Sequence, residues 1–334
     1  MSRVPLDESY VYCERLAKRT AGNFYYSFCG LPAPQFKAMC ALYAFMRVTD
    51  DWGDDADRPL AQRVADLNAW QQSLTDVLQP SWSESGTTGW SESANTVLPA
   101  MRDVVQRFAI PHEHLFAVVR GVRSDLEFEV MSTSASRVAP APGQIASPDN
   151  VRGLTPPGSP TAVARFETFD QLADYCYLVA GAVGLCCIHI WGFRGEQAVQ
   201  RAIDCGTAFQ LTNILRDVGE DAAVGRVYLP ADDMQRFGVT VEDLIAQRYD
   251  DRFRSLMAFE AERAKSFYAS AERLLPDLEP HGRPILKAML QIYGGLLTEI
   301  ERRQFNVFGQ HISLPRWRKL WIAAEAMIHQ RWIG

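Results

Sequence analysis

The chain has 334 residues, 47% hydrophobic and 22% charged, with a formal net charge of −6 and a pI near 5.6. This is an ordinary globular composition with ample material for a core. Lys and Arg are spread along the chain with no basic stripe, which excludes a nucleic-acid surface as the main function.

Apolar periodicity predicts helices over about 8–20, 35–55, 60–78, 97–109, 112–131, 168–192, 195–221, 251–275, 281–309 and 314–330, with no alternating strand visible. The N-terminal residues 1–8 hold no apolar signal core, and no run is read as reaching the length of a membrane span. Phe24, Tyr25 and Tyr26, with Tyr43 and Phe209 further on, are candidates for lining a pocket or for plain core. The helix over 35–55 ends in Asp50-Asp51-Trp52-Gly53-Asp54-Asp55. Arg47, Asp50, Asp51 and Asp54 fall at i, i+3, i+4 and i+7, one helix face. Asp57-Arg58-Pro59 reads as the cap and first turn of the next helix.

Residues 80–96 are rich in Ser, Gly and Thr and predict a loop. His112 and His114 follow Pro111 at a helix start; two apart, they do not share a face and read as surface histidines. Asp125 is read either as support for a cavity or as a surface carboxylate. Residues 132–162, rich in Pro, Ser and Gly, predict a mobile insertion. The uncharged stretch Tyr175–Trp191 reads as a buried helix, with Tyr175 and Tyr177 pointing to different sides.

In the next helix Gln210, Asn213, Asp217 and Asp221 fall at i, i+3, i+7 and i+11, again one face. Carboxylates four residues apart repel, and near a helix C-terminus they oppose the macrodipole. Either acidic face therefore calls for a cation, and two such faces set opposite one another would hold hard divalent ions and a substrate's phosphates through oxygen ligands. The plain alternative is a pair of solvated acidic helix ends. Because the acidic helices flank the 132–162 segment and must face one cavity, residues 1–334 read as a single domain with insertions at 80–96 and 132–162.

Seven cysteines, mostly within apolar helical runs and without CxxC spacing, read as small buried hydrophobes in a reducing cytosol. The last stretch, residues 314–333, begins basic and carries Trp317, Trp321 and Trp332. It fits either an interfacial helix or a stripe (Trp317, Leu320, Trp321, Ala324, Ile328) capping the core.

Taken together, Asn23-Phe24-Tyr25-Tyr26-Ser27-Phe28, Tyr43 through Asp54, Tyr175 through Gly184, Gln210 through Asp221 and Gly225-Arg226-Val227-Tyr228-Leu229-Pro230 resemble the squalene/phytoene synthase family. In order and spacing the match covers about residues 10–310. The resemblance implies an all-α isoprenoid-synthase fold whose central cavity is flanked by two Asp-rich helices. It implies Mg²⁺, with Mn²⁺ as an alternative, held by Asp50, Asp51 and Asp54 on one side and Asn213, Asp217 and Asp221 on the other. Arg47, Arg216 and Arg226 would grip diphosphate oxygens, a task suited to the guanidinium fork. Asn23, Phe24, Tyr26, Tyr43, Gln210 and Tyr228 would contact substrate. Tyr175 or Tyr177 would shuttle a proton during cyclopropane formation.

The leading expectation is condensation of two farnesyl diphosphates to presqualene diphosphate, continuing to squalene only if NADPH is used. The alternative is phytoene synthase, joining two geranylgeranyl diphosphates. A non-catalytic helical assembly factor is the reading from another class, and the intact aspartates argue against it. Expected partners are prenyl diphosphates and downstream isoprenoid enzymes, with a cytoplasmic location and peripheral membrane contact through the C-terminal stretch.

Overall fold

Helix ends follow local chemistry. Ser91 caps one helix by accepting the Ala94 N–H, and Asp250 caps another by accepting from Arg252 and Phe253. Thr240 and Asp243 form a reciprocal capping box. Pro32 and Pro59 precede two further helices, where a missing N–H leaves nothing unpaired.

The computed structural model describes residues 4–55, 57–82, 90–135, 163–309, 311–315 and 322; for Asn23, Phe24, Asp54, 132–135 and Val163 it describes the backbone alone. The N-terminal half holds α1 (Leu6–Thr20), α2 (Asn23–Phe28), α3 (Ala33–Asp54), α4 (Leu60–Leu78), α5 (Glu92–Phe108) and α6 (His112–Ala135). A strand β1 (Val163–Ala164) precedes α7 (Phe169–Cys176), a π-turn (Tyr177–Gly181), α8 (Ala182–Trp191) and α9 (Gln197–Ala223). Then come β2 (Arg226–Val227), α10 (Ala231–Phe237), α11 (Val241–Ile245), α12 (Asp251–Glu272), a 3-10 turn (Leu275–Asp277) and α13 (Arg283–Arg302). The fold class is all-α, as expected.

Differences from the sequence reading are local. β1 and β2 pair in parallel, Val163 opposite Arg226, a contact between two-residue segments too short to show alternation. The short helices α2, α10 and α11 were not anticipated, being only two turns or less. Helix α5 begins at Glu92, inside the span read as loop, and α6 continues to Ala135, past the expected start of the insertion. The rest of that insertion (136–162), residues 83–89 and nearly all of the tryptophan-bearing C-terminal stretch lie outside the described residues. Ile322, which is described, is buried against Ala288.

The run expected as one helix over 168–192 is broken by the π-turn. Taken whole, Phe169–Trp191 is long and apolar enough to cross a membrane, which corrects the expectation that no run reaches that length; half of its most apolar window is buried inside the protein. His114 is also corrected: it is buried, 6.0 Å from the His189 ring, because its helix lays that face on the core. Cys29 is the one exposed cysteine of the seven.

Two large apolar clusters make the core. The first draws mainly on α1, α3–α6 and α8, the second on α7 and α10–α13, with Ala271 of α12 and Ile285 and Leu286 of α13 reaching the first. Helix α9 serves both, giving Ala198, Ala202, Cys205 and Phe209 to the first and Leu211, Ile214, Leu215 and Val218 to the second. Its first turns carry an outward polar set, Gln197, Gln200, Arg201 and Asp204, and its later turns carry Gln210 and Asn213 toward a cavity.

Candidate active site

A cavity of about 240 Å³ opens between α3, α8, α9 and α13. Its polar lining is Gln210, Asn213 and Tyr293; Met46, Val179, Val183, Phe209, Met289 and further apolar groups supply the rest. Met46 and Asn213 stand one helical turn before Asp50 and Asp217 respectively. Since side chains four apart share a helix face, both acidic ends border the same end of this cavity.

On α3, Asp50 and Asp51 are exposed, and Arg47 reaches Asp51 at 2.6 Å. Carboxylates at a helix C-terminus face the negative end of its dipole. Part of that strain is relieved from behind: Arg63 on α4, almost fully buried, donates Nη1 to the Gly53 carbonyl at 2.7 Å and pairs with Glu129 of α6. Below the acidic turn, Trp70 donates to Thr49 at 3.0 Å and stacks on Phe45.

On α9, Arg216 Nε donates to Asp217 at 2.7 Å and its Nη2 binds the other carboxylate oxygen. Among the described residues Asp221 has no such bidentate partner: burial first, and then the Asp217 carboxylate, push its pKa up to about 7, against the pull of Arg226. Arg226 in turn approaches Glu129 at 4.0 Å. Asp221, Arg226 and Tyr228 line one small hollow behind the acidic helix. Asp217, Glu220 and His311 also come close, with His311 Nδ1 3.2 Å from Glu220. The carboxylates of Asp217, Glu220 and Asp221 are hard oxygen donors and fit Mg²⁺ or Mn²⁺, with the His311 imidazole an added nitrogen donor.

Tyr175 takes an unexpected position. It is buried in the second cluster, outside the cavity lining, stacked on Tyr228 at 5.6 Å, and its hydroxyl donates to Asp125 at 3.1 Å. Arg165 pairs with the same Asp125 and lies 4.4 Å over the Tyr175 ring. Burial, then the Asp125 charge, hold the Tyr175 phenol far above its ordinary pKa, so it stays a proton donor. Asp125 is therefore a structural partner of the tyrosine, resolving the open reading of that residue.

Tyr177 starts the π-turn half-buried, packed on the first cluster. Tyr26 is 49% exposed and Tyr25 is buried in a small cluster with Ala17 and Cys40, with Tyr43 packed beside it. Of the aromatic pocket candidates with described side chains, only Phe209 lines the cavity. Tyr25 and Tyr43 pack elsewhere because aromatic residues at helical spacing satisfy core contacts equally well, while Tyr26 stays half exposed. The side chains of Asn23, Phe24 and Asp54 lie outside the description.

Sequence reasoning missed Tyr293, whose ring stacks on Phe209 at 4.4 Å and whose hydroxyl bonds Asn213. It missed Arg165 as well, which follows a featureless stretch, and Trp191. None carried a spacing signal.

A helical shell with an apolar cavity and acidic ends on two of its wall helices is the arrangement of an isoprenoid-synthase type of enzyme. The squalene/phytoene synthase family profile matches residues 17–318. The chain belongs to the squalene/phytoene synthase family, whose members are prenyltransferases that join prenyl diphosphates head to head.

It is 30% identical to a phytoene synthase of Arthrospira platensis, over 97% of this chain and 94% of the relative. A crystal structure of a dehydrosqualene synthase in complex with ligand superposes with TM-score 0.73 at 26% identity, covering 98% of both chains. The squalene synthase HpnC from Alicyclobacillus acidocaldarius shares the fold with TM-score 0.70 at 23% identity, over 91% of this chain and 97% of the other.

Proposed function

We propose that this enzyme condenses two farnesyl diphosphates to presqualene diphosphate in a Mg²⁺-dependent reaction. The observation that carries the choice of substrate is the length of the cavity. On α9 its lining runs from Asn213, beside the acidic turn, back to Ala202. At 1.5 Å per residue that is about 16 Å. With carbon–carbon bonds of about 1.5 Å in extended zigzag, a farnesyl spine measures about 14 Å and a geranylgeranyl spine about 19 Å. The shorter chain fits without folding back.

In this reading Asp50, Asp51, Asp54, Asp217 and Asp221, with Asn213 beside them, would hold Mg²⁺, which would supply positive charge to the diphosphate leaving group. Arg47, Arg216 and Arg226 bind its remaining oxygens. Phe209, Tyr293 and the aliphatic lining keep water from the allylic cation, and the aromatic faces stabilise its charge. One diphosphate departs as C1 of the first substrate bonds to the second, and closure of the cyclopropane releases one proton. The departing diphosphate is basic and takes up that proton, while Tyr175, held outside the cavity lining beside Asp125, does not touch the substrate there.

A specific observation favours a second reading, phytoene synthesis from geranylgeranyl diphosphate: the 30% identical Arthrospira platensis protein bears that name. Purified protein incubated with each diphosphate, with and without Mg²⁺ and with and without NADPH, separates them by product mass. Presqualene diphosphate from farnesyl diphosphate is expected, lost in Asp217→Asn by about 100-fold or more. A forty-carbon product formed in preference would replace this reading with the second.

A further inference from the structure

We infer that Trp191 is the stopper that sets substrate chain length. The inference rests on the proposed condensation and names the side chain that enforces its specificity. Helices α8 and α9 are consecutive, joined by residues 192–196, and pack against one another. The end of α8 therefore lies beside the start of α9, at the far end of the cavity from Asp217. The lining residues agree with this order: along α9 Asn213 and Gln210 come before the acidic turn, Phe209 and Cys205 lie further back, and Ala202 packs on Gly184, with Trp191 two turns further along α8. Leu274 and Leu286 complete the closed end.

Midway, Gly184 and Gly206 let the wall segments close on one another, since a Cβ on Gly184 would lie 2.9 Å from the Ala202 carbonyl and one on Gly206 2.6 Å from the Ala180 and Gly181 backbone. Trp191 is the largest side chain in the lining and is 4% exposed. Its indole nitrogen is buried and has no hydrogen-bond partner among the described residues. Buried tryptophans usually pair that N–H, and an unmade donor is unfavourable. An aliphatic residue would seal a core without that penalty, so what distinguishes this residue here is its bulk.

The ring is also held in place. A Cβ on Gly282 would lie 2.7 Å from Trp191 Cβ and 3.0 Å from its ring, so only glycine at that position leaves space for it. Behind it, Gly192 accepts a hydrogen bond from Glu279 at 2.9 Å. The stopper cannot withdraw to admit a longer tail. An indole is bulkier than the single isoprene unit by which geranylgeranyl exceeds farnesyl, so removing it opens the needed depth.

The test compares wild type with Trp191→Ala and Trp191→Leu, measuring kcat/KM for farnesyl and geranylgeranyl diphosphate and identifying products by mass. The ratio of geranylgeranyl to farnesyl kcat/KM is expected to rise on the order of tenfold or more, the scale on which a pocket discriminates a few carbons. Thermal melting identifies which variants are folded; the less drastic Trp191→Leu serves if Trp191→Ala is not. An unchanged ratio in a folded variant overturns the stopper. A wild type that prefers geranylgeranyl diphosphate overturns the farnesyl reading instead, and the ratio change in the variants still judges Trp191.

Discussion

Asp221 is the side chain whose environment most openly asks for a cation. Its carboxyl loses its proton near pH 3.8 in an unfolded chain but near 7 in the fold, because it is buried beside Asp217. Between those values the folded protein holds one more proton than the unfolded one. Stability in metal-free buffer therefore falls as pH rises through that window. Asp221→Asn removes the burden. The variant is expected to melt above wild type at pH 8 in the presence of a chelator and to match it near pH 4. Thermal melts at both pH values check this; equal melting temperatures at pH 8 would contradict the raised pKa. Because Mg²⁺ favours the carboxylate, it should stabilise wild type more at pH 8 than at pH 6, and the variant little at either.

At the scale of elements, the π-turn at Tyr177–Gly181 decides which residues meet the cavity. A Cβ on Gly206 of α9 would fall 2.6 Å from the backbone of Ala180 and Gly181. Backbone atoms cannot yield as a flexible side chain can, so the two helices approach this closely only with glycine there. Gly206→Ala is expected to lower stability by roughly 1–3 kcal/mol, as overpacking does. Urea unfolding measures it, and an unchanged midpoint would mean the helices have slack.

The same turn explains what the sequence could and could not show. Polar residues on α3 and α9 stand out against apolar surroundings, so Arg47, Asp50, Asn213 and Asp217 were legible from spacing alone. Trp191 and Tyr293 were not, since an apolar or aromatic residue looks alike whether it faces a cavity or the core. Extrapolating a 3.6 period from Tyr175 toward Trp191 also fails, because the wider turn shifts the register between them. Arg165 and Asp125 meet only through tertiary packing, across 40 residues of chain.

Across the whole molecule the two apolar clusters meet along α9 and the cavity, and a polar bridge crosses from one acidic end to the other. Arg63 of α4 holds the last turn of α3 through the Gly53 carbonyl and pairs with Glu129 of α6, which also approaches Arg226 beyond α9. A side chain on Gly53 would collide with Val122 of α6 at 2.6 Å, so α3 and α6 are already pressed together there. Arg63 is 7% exposed, and its Nε has no hydrogen-bond partner. Removing the Glu129 charge would leave a buried cation poorly compensated, while Arg63→Met would replace it with a group of similar length and no charge. Glu129→Gln is therefore expected to lose about 2 kcal/mol of stability, the scale of a hydrogen bond to a charged group. Adding Arg63→Met should restore part of that loss rather than deepen it, because breaking one side of a buried pair is worse than removing both. Glu129→Gln should also raise KM for the diphosphate substrate more than it lowers kcat, since Arg226 loses a neighbour that positions it. A double-mutant cycle by chemical denaturation, with kinetics on the same four proteins, tests both statements. Additive stability losses, with KM unchanged throughout, would show that the bridge is three unrelated contacts and that the two acidic ends are held in place independently.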